Sequence, residues 1–312
     1  MKKLQVYIAN LLTNDRQPII FSLNLQGFFL HFIQQNTELK IRDHLNQFII
    51  TTEIIIEHLK EEDLDKALDL IDNVCLLLSF LTGSDVVRAS YSFNNKSIMT
   101  PHVGARIKPE YRVIYLDKNS IKHFITTCFE NFQNLKIRRQ LHIVIGYLCE
   151  ANGTFQAIET KLILHYVILE NLKYTYAIDN QYLSYGSFFT HKNYPHLDTP
   201  PTNIEDYLPL NKNRKKYVHK IYGKVNSTDM TLKMFDEIGI KKELIQLILT
   251  KRHKIIHEGI ILPLSDEDYD GQAIRDLYEV NDLLRRYLLI ILGYKGSYRL
   301  NEDRIGMSGI IE

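Results

Sequence analysis

Hydrophobic and polar positions follow two different periods along the chain, and the period changes near Asp117. Before this residue, β-branched and aromatic residues alternate with polar ones or form short apolar runs, which is typical of strands. The N-terminal residues are expected to form a first strand or a short helix. Further strands are predicted over residues 19–25, 28–34, 43–57, 86–93 and 111–116. We therefore predict a β-rich domain over residues 1–117.

One helix interrupts this β-rich region. Between Asp63 and Leu81, apolar residues recur at steps of three and four, which predicts a helix with one buried face. Gly83 follows at the position where a glycine commonly ends a helix. The first domain is therefore expected to be a sheet with one packed helix.

After Asp117 the apolar positions keep a helical period. The segment 178–209 is the exception, because its many Tyr, Pro, Asn and Thr residues favour a long loop. Helices are predicted over residues 120–132, 137–150, 154–176, 240–257 and 271–292. The sequence thus predicts an α+β protein with an all-helical second domain over residues 118–312.

Composition narrows the class of protein. Hydrophobic residues form 45% of the chain and charged residues 24%, and the net charge is +1, so any nucleic-acid affinity must come from a local patch. The three scattered cysteines favour a reducing compartment over a disulfide framework. No apolar run reaches the roughly 18 residues of a membrane span, so we expect a cytoplasmic protein without a membrane partner.

The stretch Arg252-His253-Lys254-Ile255-Ile256-His257-Glu258-Gly259 stands out because charged groups interrupt an apolar helix pattern. Arginine keeps its charge in proteins, so Arg252 needs an anionic partner or an opening to solvent. Glu170 lies in another apolar helix pattern and also needs a partner. We expect Glu170 to pair with Arg252, either as a structural ion pair or as a catalytic helper.

Arg252 and His257 resemble the Arg-x4-6-His motif of the HEPN superfamily, and His253 fits the small or polar residue that follows the arginine there. Upstream, the segment from Arg138 to Tyr174 looks like the paired helices of the ApeA-like branch. The resemblance covers about the C-terminal 175 residues and implies a helical HEPN bundle.

This resemblance implies an endoribonuclease that needs no metal or other cofactor. His257 would act as acid and base, Arg252 would stabilise the phosphate, and His253 would help to orient the motif. The family also implies a homodimer, a toxin or anti-phage role, and an N-terminal domain that senses a trigger or holds a regulatory protein partner. Five positions on a helix turn through about 140°, so Arg252 and His257 of one chain do not share a face, and a composite site from two chains is expected.

Other interpretations remain open. Arg252 and His257 could cap backbone groups at a helix end, where cationic residues are common. His253 and His257 share a helix face and could bind zinc, although no third ligand is evident. The domain could also be a non-catalytic HEPN module that binds RNA or a protein, or the N-terminal sheet could sense a small molecule.

A basic segment lies between residues 211 and 224 and contains no acidic residue. Two tyrosines within it could stack on unpaired bases, although a solvated helix face would have the same composition. Arg138, Arg139 and Lys251 could extend the patch. Within the segment, the residues predicted to bind RNA phosphates are Lys212, Arg214, Lys215, Lys216 and Lys220.

Overall fold

The computed structural model describes most of the chain. The residues that the structure describes are 2–13, 19–34, 46–101, 104–108, 112–153, 156–185, 188–191, 224–240, 242, 243, 245, 246, 248–250, 252, 269–299 and 308–311. Helices and an antiparallel sheet are both present, so the predicted α+β class is confirmed.

Packing divides the chain into two compact units. The first contains residues 1–137, 141–165 and 262–312, and the second contains residues 138–140 and 166–261. This division differs from the expected boundary after Asp117, where the side chain of Asp117 caps the next helix by accepting hydrogen bonds from the backbone of Asn119 and Ser120. The first unit continues past this cap because two later helices pack on its first helix.

The first unit is built on a six-stranded antiparallel sheet with the order β2-β3-β4-β1-β5-β6. The N-terminal residues form a strand, so the strand alternative is confirmed. The strands are β1 (Lys2–Ala9), β2 (Ile20–Leu25), β3 (Phe28–Gln34), β4 (Ile50–Leu59), β5 (Val87–Phe93) and β6 (Lys96–Met99).

One face of this sheet forms the core of the unit. Leu4 and Val6 on β1 are fully buried, and β1 pairs with β4 on one side and β5 on the other. Phe21 and Phe32 stack across β2 and β3, with ring centroids 4.6 Å apart. Burial of alternate residues fixes the register, because a slip of one residue would turn these side chains to the opposite face.

Helices complete the first unit. A 3-10 turn (Glu61–Asp63) leads into α1 (Leu64–Thr82). The helix ends at Gly83, which has a φ of +69°, so the helix end predicted from this glycine is confirmed. The other helices described in the chain are α2 (Lys118–Leu135), α3 (Leu141–Ala151), α4 (Ile158–Asp179), α5 (Ser227–Asp236) and α6 (Tyr269–Ile291). Within the described residues, no helix combines the length and the apolar character that crossing a membrane requires.

The strand predicted over residues 111–116 is wrong for the described residues 112–116. The backbone N–H of Val113 donates to Leu81 and its carbonyl accepts from the N–H of Arg299, so this segment bonds to two different neighbours. Val113 and Ile114 are both buried, although a strand would point them to opposite faces. The apolar run therefore reflects burial of an irregular segment.

The region after Asp117 is not purely helical. A three-stranded antiparallel sheet lies in the second unit, and two of its strands fall in the segment expected to be a loop. The first unit also contains a hairpin near the C-terminus. These strands are β7 (Tyr182–Tyr185), β8 (Phe188–His191), β9 (Lys224–Asn226), β10 (Gly296–Arg299) and β11 (Ser308–Ile311).

Candidate functional site

Two of the four predicted catalytic residues lie in the described part of the chain. Glu170 is on α4, and Arg252 is among the described helical residues numbered 242 to 252, which match the predicted helix. Apolar neighbours hold both segments in place, since Leu169 and Ile248 are buried. The other predicted site residues lie outside the described residues: His253, His257, Lys212, Arg214, Lys215, Lys216 and Lys220.

Glu170 and Arg252 form the ion pair that the sequence predicted. Nη2 of Arg252 lies 2.7 Å from Oε1 of Glu170. The contact is a close approach of charges and not an aligned hydrogen bond, because Oε1 accepts no hydrogen bond of normal geometry among the described residues. Mutual charge compensation explains how both groups are tolerated between apolar helices.

A second cation, which sequence reasoning missed, shares the same carboxylate. Nζ of Lys173 donates to Oε2 of Glu170 at 2.5 Å. Lys173 follows Glu170 by three residues on α4, a spacing that places both side chains on the same side of the helix. That spacing was visible in the sequence, but a lysine on a helix is usually exposed, and the side chain of Lys173 is only 4% exposed.

Lys173 also connects α4 to the start of α5. Its Nζ donates to Oγ of Ser227 at 2.6 Å, and it lies 5.9 Å from the centroid of the buried Phe189 ring on β8. Ser227 follows Asn226, whose side chain caps α5 by accepting from the backbone N–H of Asp229. No sequence signal pointed to Ser227, because 54 residues separate it from Lys173.

The cluster of Arg252, Glu170, Lys173 and Ser227 carries a net charge of +1, because two cations share one carboxylate. Burial lowers the pKa of Lys173, contacts with Glu170 oppose this shift, and the charge of Arg252 adds to it. We refer to these four residues as the cationic cluster. Its positive charge would be stabilised by an incoming anion.

Arg252 retains capacity for a ligand. Its side chain is 18% exposed, and its Nε is buried without a hydrogen-bond partner among the described residues. The side chain of Glu170 is 35% exposed, but its Oε1, which lies against the guanidinium, is buried. Because the guanidinium is partly exposed and its contact with Oε1 is not an aligned hydrogen bond, a phosphate that offers bidentate acceptors could replace the carboxylate.

Arg138 and Arg139 are predicted to extend a basic patch. In the structure, both form ion pairs with Asp179. Arg139 is 4% exposed, its Nη1 lies 3.6 Å from Asp179, and its guanidinium lies 5.3 Å from the centroid of the Tyr176 ring. Arg139 therefore serves packing, and the expectation that it extends a basic surface patch is wrong for this residue. Arg138 remains exposed and lies 3.7 Å from Asp179.

A polar cavity of about 290 Å³ lies in the second unit. Tyr176, one turn after Lys173 on α4, donates a hydrogen bond to Glu237, and Lys233 donates to the hydroxyl of Tyr182 at 3.2 Å. Every residue of the lining has a polar side chain: Tyr176, Asn180, Tyr182, Lys233, Asp236 and Glu237.

Zinc binding by His253 and His257 is one of the alternative interpretations of the motif. In the described part of the chain, no group of three or more His, Cys, Asp or Glu side chains is placed to hold a metal ion. The three cysteines are free and buried, and burial raises the pKa of each thiol. The two histidines themselves lie outside the described residues.

Comparison of this chain with protein-family models, with curated proteins and with solved structures finds no match. The HEPN resemblance therefore stays an expectation from the sequence. The cationic cluster and the motif that contains Arg252 have the chemistry to bind a phosphate group.

Proposed function

We propose that this protein is a metal-independent endoribonuclease whose site is built around Arg252 and His257. The observation that supports the proposal best is the cationic cluster, in which a partly exposed guanidinium shares its only described carboxylate with a buried lysine. Such a cluster favours a phosphodiester over a neutral ligand. His257, five residues after Arg252, would supply the acid and base chemistry that an arginine cannot.

In the proposed reaction, the ribose 2'-oxygen attacks the adjacent phosphorus and the bond from phosphorus to the 5'-oxygen breaks. One imidazole accepts the 2'-hydroxyl proton, and another donates a proton to the departing 5'-oxygen. Arg252 stabilises the charge on the phosphate in the transition state. The products are a 2',3'-cyclic phosphate and a 5'-hydroxyl.

Glu170 is assigned a positioning role. Before RNA binds, its carboxylate holds Arg252 where the phosphate will lie, and Lys173 fixes the other carboxylate oxygen. When a phosphate replaces Oε1, Lys173 keeps Glu170 neutralised. Arg252 is therefore already oriented when the substrate arrives, which lowers the entropy lost on binding.

The proposed active form is a homodimer. Arg252 and His257 diverge by about 140° on a regular helix, so one chain would not direct both at one phosphate. On α4, Val167, Tyr174 and Ile178 are 40%, 46% and 50% exposed. Their spacing places them within about 40° of one another around the helix, next to Glu170. A second copy of the chain would cover this apolar stripe and bring a second motif to the site.

The alternative function is a non-catalytic module that binds RNA or a protein. The ion pair of Glu170 with Arg252 favours it, because a neutralised guanidinium can serve packing alone. Under either function, a toxin or anti-phage role in the cytoplasm and a regulatory partner of the N-terminal sheet remain predictions from the resemblance.

Cleavage of a labelled single-stranded RNA in EDTA tests the proposal. Arg252→Ala and His257→Ala should each lower the rate at least ~100-fold, as expected for removal of a transition-state or acid-base group. His142→Ala is the matched control, since His142 is exposed on α3. Wild-type rates in both motif variants would exclude the proposed site, and cleavage that requires added zinc would favour the metal interpretation of His253 and His257.

Sedimentation and mixing test the dimer. Val167→Glu and Tyr174→Glu should shift the protein to a monomer and abolish cleavage, whereas Phe29→Glu, at a 59% exposed apolar residue on β3, should do neither. An equal mixture of wild type with Arg252→Ala should lose more than half of the activity. A fully active monomer would contradict the composite site.

A further inference from the structure

The polar cavity of the second unit is not used by the proposed ribonuclease site, although α4 and α5 contribute residues to both. Lys173 of the cationic cluster and Tyr176 of the cavity are three residues apart on α4, a spacing of about 4.5 Å that places both side chains on the same side of the helix. Ser227 begins α5 and contacts Lys173, and the cavity residues Lys233 and Asp236 lie in the last turn of the same helix. The cavity and the cluster are therefore neighbours within one compact unit.

The cavity and the cationic cluster carry opposite charges. The lining of the cavity contains one cation, Lys233, and two carboxylates, Asp236 and Glu237, so its net charge is −1. The cationic cluster has a net charge of +1. A ligand with an anionic group at one end and hydrogen-bond donors at the other would match both. A nucleotide has this form, because its phosphate is an anion and its base can carry N–H donors.

Hydrogen bonds hold the polar groups of the lining in position. Tyr176 donates from its hydroxyl to Oε1 of Glu237, and Nδ2 of Asn180 donates to the carbonyl oxygen of Tyr176 at 3.1 Å. Nζ of Lys233 donates to the hydroxyl of Tyr182 at 3.2 Å and lies 5.7 Å from the centroid of its ring. The ammonium and one carboxylate are thus oriented before a ligand binds, which lowers the entropy lost on binding.

The size of the cavity suits a single base. Its volume of about 290 Å³ is at the lower end of the range of ~300–1,000 Å³ that is typical of small-molecule sites. A cationic amine would match the carboxylates of the lining, but Lys233 would repel it. A free anion would be repelled by Asp236 and Glu237. A neutral ligand that offers both donors and an acceptor fits this combination of charges.

Among the four bases of RNA, guanine has the edge that matches these groups. It presents two adjacent N–H donors, at N1 and N2, beside the acceptor O6. One carboxylate can accept from both donors, while a lysine donates to O6. Adenine and cytosine present an unprotonated ring nitrogen at the centre of the same edge, which a carboxylate repels. Uracil presents a single donor between two acceptors.

We propose that the cavity binds a guanine base of the RNA substrate, beside the phosphodiester bond that the cationic cluster holds. This inference rests on the proposed ribonuclease function, which assigns the phosphate to that cluster. Asp236 accepts from N1–H and N2–H, because Oε1 of Glu237 already accepts from Tyr176, and Lys233 donates to O6. The rings of Tyr176 and Tyr182 supply the aromatic surface on which unpaired bases stack.

Calorimetric titration of the full chain with guanosine, inosine and adenosine 5'-monophosphates tests the cavity without requiring cleavage. The three nucleotides share the same phosphate, so differences in affinity report the base. Guanosine monophosphate should bind at least ~10-fold tighter than inosine monophosphate, which lacks the N2 amino group, as expected for one bidentate contact. Asp236→Asn should remove this preference, because an amide offers one acceptor oxygen in place of two. Lys233→Met should weaken binding of both nucleotides, since both carry O6.

Glu243→Gln is the matched control, since Glu243 is an exposed acid of the same unit outside the cavity lining. This variant should keep the wild-type preference for guanosine monophosphate. Equal affinities of the wild type for the three nucleotides, or a preference that Asp236→Asn leaves intact, would overturn the inference. Lack of binding at ~10 mM guanosine monophosphate, a concentration that detects millimolar affinity, would also overturn it.

Mapping the cleavage sites in an RNA of mixed sequence separates this inference from the ribonuclease proposal. Cuts should lie beside guanines, and Asp236→Asn should still cut RNA but lose this preference. Selective binding of guanosine monophosphate by a protein that cuts no RNA would support the cavity and contradict the ribonuclease. Cleavage without base preference, together with equal nucleotide affinities, would support the ribonuclease and contradict the guanine site.

Discussion

Lys108 of the first unit and Lys173 of the second are both buried, and opposite balances of charge hold them. In the first unit, Nζ of Lys108 lies 3.0 Å from Asp85 and 3.4 Å from Glu150, so one cation faces two carboxylates. In the second unit, Lys173 shares one carboxylate with Arg252, so two cations face a single acid. Both lysine side chains are about equally enclosed, at 5% and 4% exposure.

The difference separates a structural ion pair from a site that is ready for an anion. Lys108 also belongs to a backbone network, in which Ser84 donates to its carbonyl and accepts from its N–H, both at 2.7 Å. In the described part of the chain, the ammonium and the backbone of Lys108 have protein partners without a ligand. Around Lys173 a positive charge remains, and the Nε of Arg252 has no described acceptor. We infer that burial of a lysine carries little functional information until the neighbouring charges are counted.

The largest predicted effect comes from removing one carboxylate in each region. Glu170→Gln leaves Lys173 and Arg252 without a described counter-charge, and an enclosed pair of like charges should destabilise the fold by about 3 kcal/mol. Glu150→Gln is the matched control, because Glu150 is 60% exposed and Lys108 keeps Asp85. Its effect should stay below about 1 kcal/mol.

Urea unfolding at neutral pH measures both variants. Equal losses of stability in Glu170→Gln and Glu150→Gln would remove the distinction between the two regions. Added phosphate should restore part of the stability of Glu170→Gln, because an anion can replace the missing carboxylate.

Sequence reasoning located the pair of Glu170 and Arg252 because an unpaired charge in an apolar helix is costly. It located β3 to the residue, since alternation from Phe28 to Gln34 matches the pleat of a strand. It missed β7 and β8, which pair with each other across only two residues, because the Tyr, Pro, Asn and Thr content of residues 178–209 favours a loop. The pairing of β8 with β9, more than 30 residues later in the chain, leaves no local signal. Helix periodicity finds a buried face, but it gives no information about which distant segment completes that face.

The second predicted effect concerns the basic segment. Replacing Lys215 and Lys216 with Glu should weaken RNA binding and flatten the slope of log affinity against log salt by about one to two units, since each phosphate contact contributes about 0.7 on a single strand. Lys60 and Lys66, both exposed in the first unit, provide a control pair of lysines for the same substitution. An unchanged slope in the Lys215 and Lys216 variant would assign this segment to a solvated surface.

A smaller change is expected when the buried lysines themselves are replaced. Lys173→Met makes the cationic cluster neutral, so RNA affinity should fall several-fold and the salt slope should flatten by about 0.7. Lys108→Met removes the same charge from a region with excess carboxylate and should leave RNA affinity unchanged. Titration of both variants with labelled RNA at several salt concentrations tests the contrast, and parallel losses would show that only the overall charge matters.

The smallest predicted effect is a pH dependence of stability that arises from Lys173. Its pKa in the folded protein lies below the ordinary value of 10.5, chiefly because of burial. The unfolded chain therefore holds this proton to higher pH than the folded protein does, and the destabilisation is greatest below the folded pKa and disappears as pH rises toward 10.5. The wild type should gain stability relative to Lys173→Met over this interval. The difference between the two is the informative quantity, because Tyr294 and Tyr298, whose pKa values burial raises, shift stability in the opposite direction in both proteins. The free energies of unfolding of the two proteins, measured from pH 7 upward, should therefore converge or cross. A constant difference between them would show that burial does not lower the pKa of Lys173 in the folded protein.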